Sequence, residues 1–351
     1  MRKKNKSTIN VLVVDEGSPG HVAQSYGIVD LMTRRGLILH VETLKIKNRL
    51  PGFLRPLLRC LLKYPIPLLD KLFSYFIYRN PLRLINSPTV IISSGGKSAF
   101  ASIMLKRRYC SFSIYVGVPH PYPDFWYDLI ISPLQLSFKT QSVVSRFIPN
   151  TVTPDRALLA AKNSIIHSRL TDENVYCLLV GGDSRSHHFS RSDWFRLIDF
   201  INKSSDINGV KWLITTSRRT SMYVEEILST HVNKSSLIEL VLYNRNPRKV
   251  VLEYIGLSKY IFVTQDSLTM ASEAICSGKA VFLVRPSDFE VPSDSFIFKM
   301  LRSITSIDGV EAVSTDELLS FSHCYPTEGS VGILERFEDD LIASLTRQRA
   351  F

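Results

Sequence analysis

Residues 260–284 read YIFVTQDSLTMASEAICSGKAVFLV. Tyr260–Thr264 is a short β-branched and aromatic run. A polar turn, Gln265-Asp266-Ser267, follows it. Ser267–Ser277 has the apolar spacing of a helix, and Ala280–Val284 is a second apolar run after Gly278-Lys279. Strand, helix and strand in such close succession form a crossover unit of a parallel sheet. Neither strand alternates with polar residues, as expected for strands covered on both faces.

Outward from this unit the same alternation recurs. Upstream, Val175–Val180, Lys211–Thr215 and Glu239–Leu242 read as strands, with helices from about Ser190 to Lys203, to about Ser229, and over Val250–Leu257. In the first part of the chain the strands are Val11–Asp15, Ile38–Thr43, Thr89–Ser93, Phe112–Val118 and Leu129–Ser132. A helix over about Val22–Arg34 and another ending near Arg108 lie between them. The pattern breaks around Asn150–Leu170, which reads as a linker with one helix, and a last helix covers about Val331–Arg347. The expected organisation is an α/β chain of two domains, 1–152 and 172–330, followed by a C-terminal helical segment, 331–351. No short repeat or low-complexity tract interrupts it.

The 351 residues are 45% hydrophobic and 21% charged, a globular composition that excludes a disordered or fibrous chain. Five cysteines, none in a C-x-x-C pair, exclude a disulfide scaffold and a cysteine zinc site. No run of about 18 apolar residues reads as a transmembrane helix, and the basic start, Met1–Asn10, lacks a signal-peptide core. The net charge of +11 is uneven: residues 1–110 hold 19 Lys and Arg against 5 Asp and Glu, and the remainder is slightly acidic. The excess points to an anionic partner met by the first domain. Within residues 45–85, Arg55, Arg59 and Lys63 follow one another at four-residue spacing among Leu54, Leu57, Leu58, Leu61 and Leu62. Such a basic, leucine-rich helical pair suits an anionic membrane surface. Two core-facing helices with solvated lysines and arginines would show the same pattern. No nucleic-acid motif accompanies it, so no nucleic-acid partner is expected.

In a parallel sheet, ligands sit at the carboxyl ends of strands, and four such loops carry chemistry-bearing residues. Gly17-Ser18-Pro19-Gly20-His21 places a histidine near a helix start, where the helix dipole favours a neutral imidazole fit to accept a proton. Asp15 or Glu16 beside it are the alternative bases, and a turn histidine is the plainer reading. Ser94-Gly95-Gly96-Lys97-Ser98 lacks the P-loop spacing, yet its amides and Lys97 suit an anion as well as a simple helix start. Gly181-Gly182-Asp183-Ser184 allows close backbone approach by a diphosphate or sugar. The adjacent His187 and His188 diverge and form no metal pair. Finally, Gln265-Asp266-Ser267 opens a helix carrying Met270 and Glu273. Asp266 and Ser267 are expected to cap it, leaving N–H groups for phosphate, and Glu273 can accept from both ribose hydroxyls of a nucleotide. Ser217-Arg218-Arg219-Thr220, at another strand end, adds two arginines and hydroxyls for an anion.

These motifs in this order resemble one family. ITTSRRT (214–220), VTQDSLTMASEAICSGKAVF (263–282), GSPGHVAQ (17–24) and GGDS (181–184) look like the mitochondrial-fission ELM (elongated mitochondria) family and its bacterial relatives. The family is similar to GT-B glycosyltransferases. The resemblance implies two facing Rossmann-like domains with parallel sheets, a nucleotide sugar in the second domain with Glu273 on the ribose, and an acceptor in the first with His21 facing the cleft. This chain departs from the family at Gln265, where a glutamate is common, at Ala280, where a proline is common, and at Asn246-Pro247-Arg248, where the family has Asn-Pro-Tyr.

The expected function is transfer of a sugar from a nucleotide sugar to a lipid-linked saccharide acceptor on the cytoplasmic face of the inner membrane; the resemblance implies lipopolysaccharide or cell-surface polysaccharide synthesis as its setting. The donor is a substrate, and no cofactor or metal is expected: arginines, Lys97 and loop amides take the place of a metal at the diphosphate. Domain closure over the donor is expected. The alternatives are a non-catalytic membrane-recruitment adaptor and a nucleotide-sugar epimerase.

Overall fold

The computed structural model describes residues 8–47, 62, 78, 86–120, 122–170, 174–184, 186–318, 320, 330, 332–348 and 350. In chain order its strands are β1 (Ile9–Asp15), β2 (Leu39–Lys45), β3 (Val90–Ser94), β4 (Phe112–Val116), β5 (Leu129–Ser132) and β6 (Gln141–Val144). They continue with β7 (Asn174–Val180), β8 (Val210–Thr216), β9 (Leu237–Val241), β10 (Tyr260–Thr264), β11 (Ala280–Arg285) and β12 (Val310–Ser314). The α-helices are α1 (Pro19–Arg34), α2 (Ala99–Tyr109), α3 (Pro154–Lys162), α4 (Arg191–Asn208), α5 (Met222–His231), α6 (Val251–Leu257), α7 (Leu268–Cys276), α8 (Phe296–Thr305) and α9 (Ile333–Arg347). The chain divides into two units, residues 1–151 with 335–351, and residues 152–334.

In the first unit all strand pairs are parallel, in the order β2-β1-β3-β4-β5-β6. β3 is buried along its whole length, because a parallel strand in a sheet interior has helices on both faces. The order reverses between β1 and β3, whose carboxyl ends flank a crevice where ligands of such sheets bind. α9, last in sequence, belongs to this unit. Arg34 and Arg35 of α1 and the following turn reach Glu338, with Arg35 Nε 2.8 Å from its Oε2, and Phe337 meets Phe147 edge-on at 5.3 Å. A buried carboxylate held by two guanidiniums and an aromatic contact dock an amphipathic helix to a sheet distant in sequence.

The second unit is also all parallel, in the order β12-β11-β10-β7-β8-β9. Its reversal lies between β7 and β10. The core is aromatic: Phe262 stacks on Phe282 at 4.8 Å and lies 5.3 Å from Trp212. Trp212 satisfies its indole N–H on Ser204 Oγ at 3.0 Å, so a large ring is buried without an orphaned donor. Asp193, fully buried in α4, accepts from Ser190 as a capping box and from Ser287 N at 3.0 Å and Thr315. Burial raises its carboxyl, but these donors more than offset burial and bring it down to about 2. The segments after β11 and β12 are thereby fixed to one helix.

The anticipated strands and helices are present, within a few residues at their ends. β6, α8 and β12 were not anticipated. β6 is short and polar at its start, β12 is an edge strand with two exposed residues, and the run before α8 is broken by prolines. The proposed membrane-facing stretch 45–85 lies largely outside the described residues. Leu62, counted on its leucine face, is buried in the core of the first unit, as is Tyr78. No helix among the described residues is long and apolar enough to cross a membrane.

Candidate functional site

At the β1/β3 reversal, the chain after β1 turns through Gly17, which has φ +84° and donates its N–H to Asp15 Oδ1 at 2.7 Å. Asp15 is therefore a turn residue. Pro19 occupies the first turn of α1, where its missing N–H costs nothing, and this starts the helix earlier than its apolar spacing suggested. His21 consequently sits in the first turn of the helix. Its Nδ1 donates to Glu16 Oε1 at 2.5 Å, while the other oxygen of Glu16 accepts from Lys97 N at 2.7 Å and Ser98 N at 2.9 Å. Burial would raise the Glu16 carboxyl, but His21 and the two amides outweigh burial and hold it below the usual value. Gly95, at φ +87°, is required here, because a Cβ would collide with both His21 Nδ1 and Glu16 Oε1. Gln24 is tied to the end of β3 by Ser94 Oγ at 2.9 Å. The result is an ionised, oriented carboxylate behind a half-exposed imidazole whose Nε2 has no partner among the described residues.

This geometry revises two expectations. The Lys97 and Ser98 amides, expected to bind an external anion, hold the protein's own Glu16. Glu16, an alternative base, is spent on orienting His21. The Lys97 side chain is exposed, and neither Gly20 nor Gly96 crowds a neighbour.

At the β7/β10 reversal four loops meet. Gly181 N donates to Thr264 Oγ1 at 2.7 Å, and Gly182 N to Asp266 Oδ2 at 2.8 Å. Arg219 Nη2 lies 2.7 Å from the same oxygen. Ser217 Oγ donates to Gly181 O at 2.6 Å, as does Thr220. A Cβ at Gly181 would strike the Asp266 carboxylate, and one at Gly182 the Arg219 backbone. These glycines are thus needed by the loops themselves. Asp266 remains above its ordinary value because burial outweighs Thr264, Gly182 and Arg219. Neither Asp266 nor Ser267 caps α7 through its side chain, contrary to expectation. Arg218 is exposed and has no partner among the described residues, as is true of Asp183.

Glu273, in the middle of α7, stands apart. It is only partly open to solvent and makes no hydrogen bond or ion pair with a described residue. Burial alone pushes its carboxyl up to about 7. Met270 lies one turn earlier, half-buried. Lys279, beyond the same helix, is structural: its Nζ donates to Gly256 O at 2.8 Å and to Ser258 O, closing the C-terminus of α6.

Sequence reasoning missed two members of this cluster. His187 was read as a polar loop residue, but only His188 is exposed; His187 is 2% exposed and bonds to Gln265. Glu225, buried in α5, accepts from Thr216 Oγ1 at 2.6 Å and Asn244 N at 3.0 Å, joining the ends of β8 and β9. Both act across loops distant in sequence, so no spacing marks them. The described residues hold no group of three or more His, Cys, Asp or Glu side chains fit for a metal ion.

A model of the family described as mitochondrial fission ELM1 matches residues 19–297. An uncharacterized protein of Rickettsia prowazekii (strain Madrid E) is 21% identical over 312 residues, covering 80% of this chain and 84% of its own. Among solved structures, one from Listeria monocytogenes assigned as a UDP-N-acetylglucosamine 2-epimerase superposes with a TM-score of 0.57 at 10% identity, covering 98% of both chains. The UDP-GlcNAc 2-epimerase of Neisseria meningitidis, solved with UDP-GlcNAc bound, gives 0.55 at 12% identity over 97% of this chain and 100% of its own. At such identities the likeness shows the fold: two Rossmann-like domains of the GT-B class, with parallel sheets and a C-terminal helix.

Proposed function

As the chain belongs to the mitochondrial fission ELM1 family, we propose that it is a glycosyltransferase of GT-B type that takes a nucleotide sugar as donor. The observation that carries this reading is Glu273, a carboxylate on α7 that burial has raised to about 7 and that no described residue satisfies. A group left in that state is stabilised by a ligand that donates hydrogen bonds to it, and a ribose with two adjacent hydroxyls does so. The start of α7, Arg218, Arg219 and Gln265 supply cations and N–H groups for the diphosphate. Ser267, Met270, Gly182, Asp183, Ser184, Ser217 and Thr220 line the same strand ends.

The first unit supplies the base. Glu16 holds the Nδ1–H of His21, which fixes the ring and leaves Nε2 as a proton acceptor. His21 takes the proton of the acceptor hydroxyl as its oxygen attacks the anomeric carbon. The bond from that carbon to the diphosphate oxygen breaks, and the leaving nucleoside diphosphate keeps the electron pair, stabilised by the arginines. Arginines and amides do this without a metal, so a chelator leaves turnover unchanged. The acceptor in this proposal is a lipid-linked saccharide of the cell surface, met at the inner membrane through the basic first third of the chain.

A second reading, a nucleotide-sugar epimerase, is favoured by one observation: both solved structures described above carry that assignment. The test is a thermal-shift panel of UDP-, GDP-, CMP- and ADP-sugars, led by UDP-N-acetylglucosamine. One donor is expected to stabilise the wild-type protein and, at the same concentration, to stabilise Glu273→Ala much less. Absence of stabilisation by every donor overturns the proposal. Inversion at sugar C2 in the absence of an acceptor selects the epimerase.

A further inference from the structure

Beside the glutamate of α7, the second unit contains a buried histidine whose bonds are all internal. Both nitrogens of His187 are engaged: Nε2 lies 3.2 Å from Gln265 Oε1, and Nδ1 lies 3.0 Å from Ser186 Oγ and 3.4 Å from Ser184 Oγ. Its ring stacks on Phe289 with centroids 4.3 Å apart and planes at 21°. Phe289 belongs to the segment after β11, which Asp193 anchors through Ser287 N. His187 is therefore fixed on its face and at both nitrogens, and burial disfavours its charged form.

A neutral imidazole has one donor and one acceptor. Gln265 Oε1 only accepts, so Nε2 carries the proton and the serine hydroxyls donate to Nδ1. The Gln265 main-chain N–H is spent on Val284 O at 2.8 Å. With Oε1 also taken, Gln265 retains only the two N–H donors of its carboxamide, which bond to no described residue. The residue is 3% exposed. It stands at the end of β10, next to Asp266, whose Oδ2 is held by Gly182 and Arg219 while its buried Oδ1 has no hydrogen-bond partner among the described residues. Apart from that buried oxygen, this strand end presents donors: the Gln265 amide, two guanidiniums and the first N–H groups of α7. A ligand made only of acceptors, a diphosphate, matches that set.

We infer that His187 is a positioning residue for the donor's diphosphate: by binding Gln265 Oε1 it holds the carboxamide in the one orientation that offers N–H to the phosphate oxygens. An amide released from His187 can turn its carbonyl oxygen toward the phosphates, replacing attraction by repulsion. The inference rests on the nucleotide-sugar reading above.

The test is a double-mutant cycle read by calorimetry with UDP and with uridine. If the thermal-shift panel selects another base, its diphosphate and nucleoside replace them. His187→Ala and Gln265→Ala each weaken UDP binding about tenfold. The double variant is about tenfold weaker as well, not a hundredfold, because both changes remove the same contact. Uridine affinity is unchanged throughout. His187→Asn, which retains an N–H donor, restores part of the loss even if His187→Ala folds poorly. Nitrogen-detected NMR of the wild-type ring shows the Nε2–H tautomer. Additive losses in the double variant, equal losses for uridine and UDP, or an Nδ1–H tautomer overturn the inference while leaving the donor reading intact. Wild-type protein that binds no nucleoside diphosphate overturns both.

Discussion

Two glutamates separate the two halves of this molecule. Glu16 stands at the strand order reversal of one parallel sheet and Glu273 in the helix that follows β10 of the other, and burial pushes both toward the neutral form. Glu16 is met by a histidine and two backbone amides and ends below its ordinary value. Glu273 meets no described group and ends at about 7. The satisfied carboxylate orients His21 through its Nδ1. The other carries the cost of burial with no partner among the described residues, and in the proposed function a hydrogen-bond-donating ligand offsets it. In the proposed function one half of the protein is thus preorganised for proton transfer, and the other for binding.

The contrast is broken most severely by His21→Ala. Turnover of the donor selected by the thermal-shift panel, measured as nucleoside diphosphate release with lipid-linked acceptor present, falls about 10²- to 10⁴-fold. Donor affinity by calorimetry stays within about twofold. A matching loss of affinity would move His21 out of the chemistry and into binding.

Glu273→Ala does the reverse. Donor affinity falls about 10- to 100-fold, the worth of hydrogen bonds to a charged group. Glu273→Gln separates binding from stability. The folded-state carboxyl titrates at about 7 against 4.5 for the free side chain, so its contribution to folding is intact below about 4.5 and lost as the pH rises to about 7. The glutamine carries no such penalty. Its melting temperature therefore exceeds wild type at pH 8, by the equivalent of up to about 3 kcal/mol, and the gain shrinks toward pH 5. A lower melting temperature at pH 8 would mean that Glu273 has a partner.

Gly95→Ala tests the first half through the backbone. A Cβ at φ +87° meets His21 and Glu16, so stability falls by about 2 kcal/mol, and the oriented pair is lost with it. Urea titration and turnover should fall together. Gly96→Ala, with open space around it, serves as the silent control.

The smallest effect is in the pH profile. A donor whose ribose bonds to ionised Glu273 drives off a proton below pH 7, and a nucleotide sugar has no phosphate that titrates in this range. Affinity for it rises up to about tenfold between pH 6 and 8 and is level above that. In Glu273→Gln the profile is flat.

Much of the architecture was written in short-range pattern. Unbroken apolar runs such as Tyr260–Thr264 are strands because a parallel sheet buries both faces, and the polar or glycine-bearing turns after them mark the carboxyl ends. Net charge and the leucine-arginine spacing of 45–85 suggested an anionic partner, and those residues fall largely outside the described ones. What the pattern misjudged was polar. Asp266 and Ser267 look like helix caps, yet the carboxylate turns to Gly182 and Arg219. Lys97 looks like an anion binder, yet its amide holds Glu16. His187 looks like a loop residue, yet it is buried on Phe289.

The amino-acid sequence alone determined the two α/β halves, their strand ends, the presence of His21, Arg218 and Arg219 there, and that of Glu273 within the helix after β10. These follow from periodicity and turn chemistry, which act within a few residues. Tertiary structure alone decided which carboxylate is satisfied, which glycine clears a side chain, and that α9 completes the first unit. Those outcomes depend on hydrogen bonds and collisions between segments up to about three hundred residues apart, and such contacts leave no local trace, because the partner's identity is set by the fold and not by its neighbours in the chain.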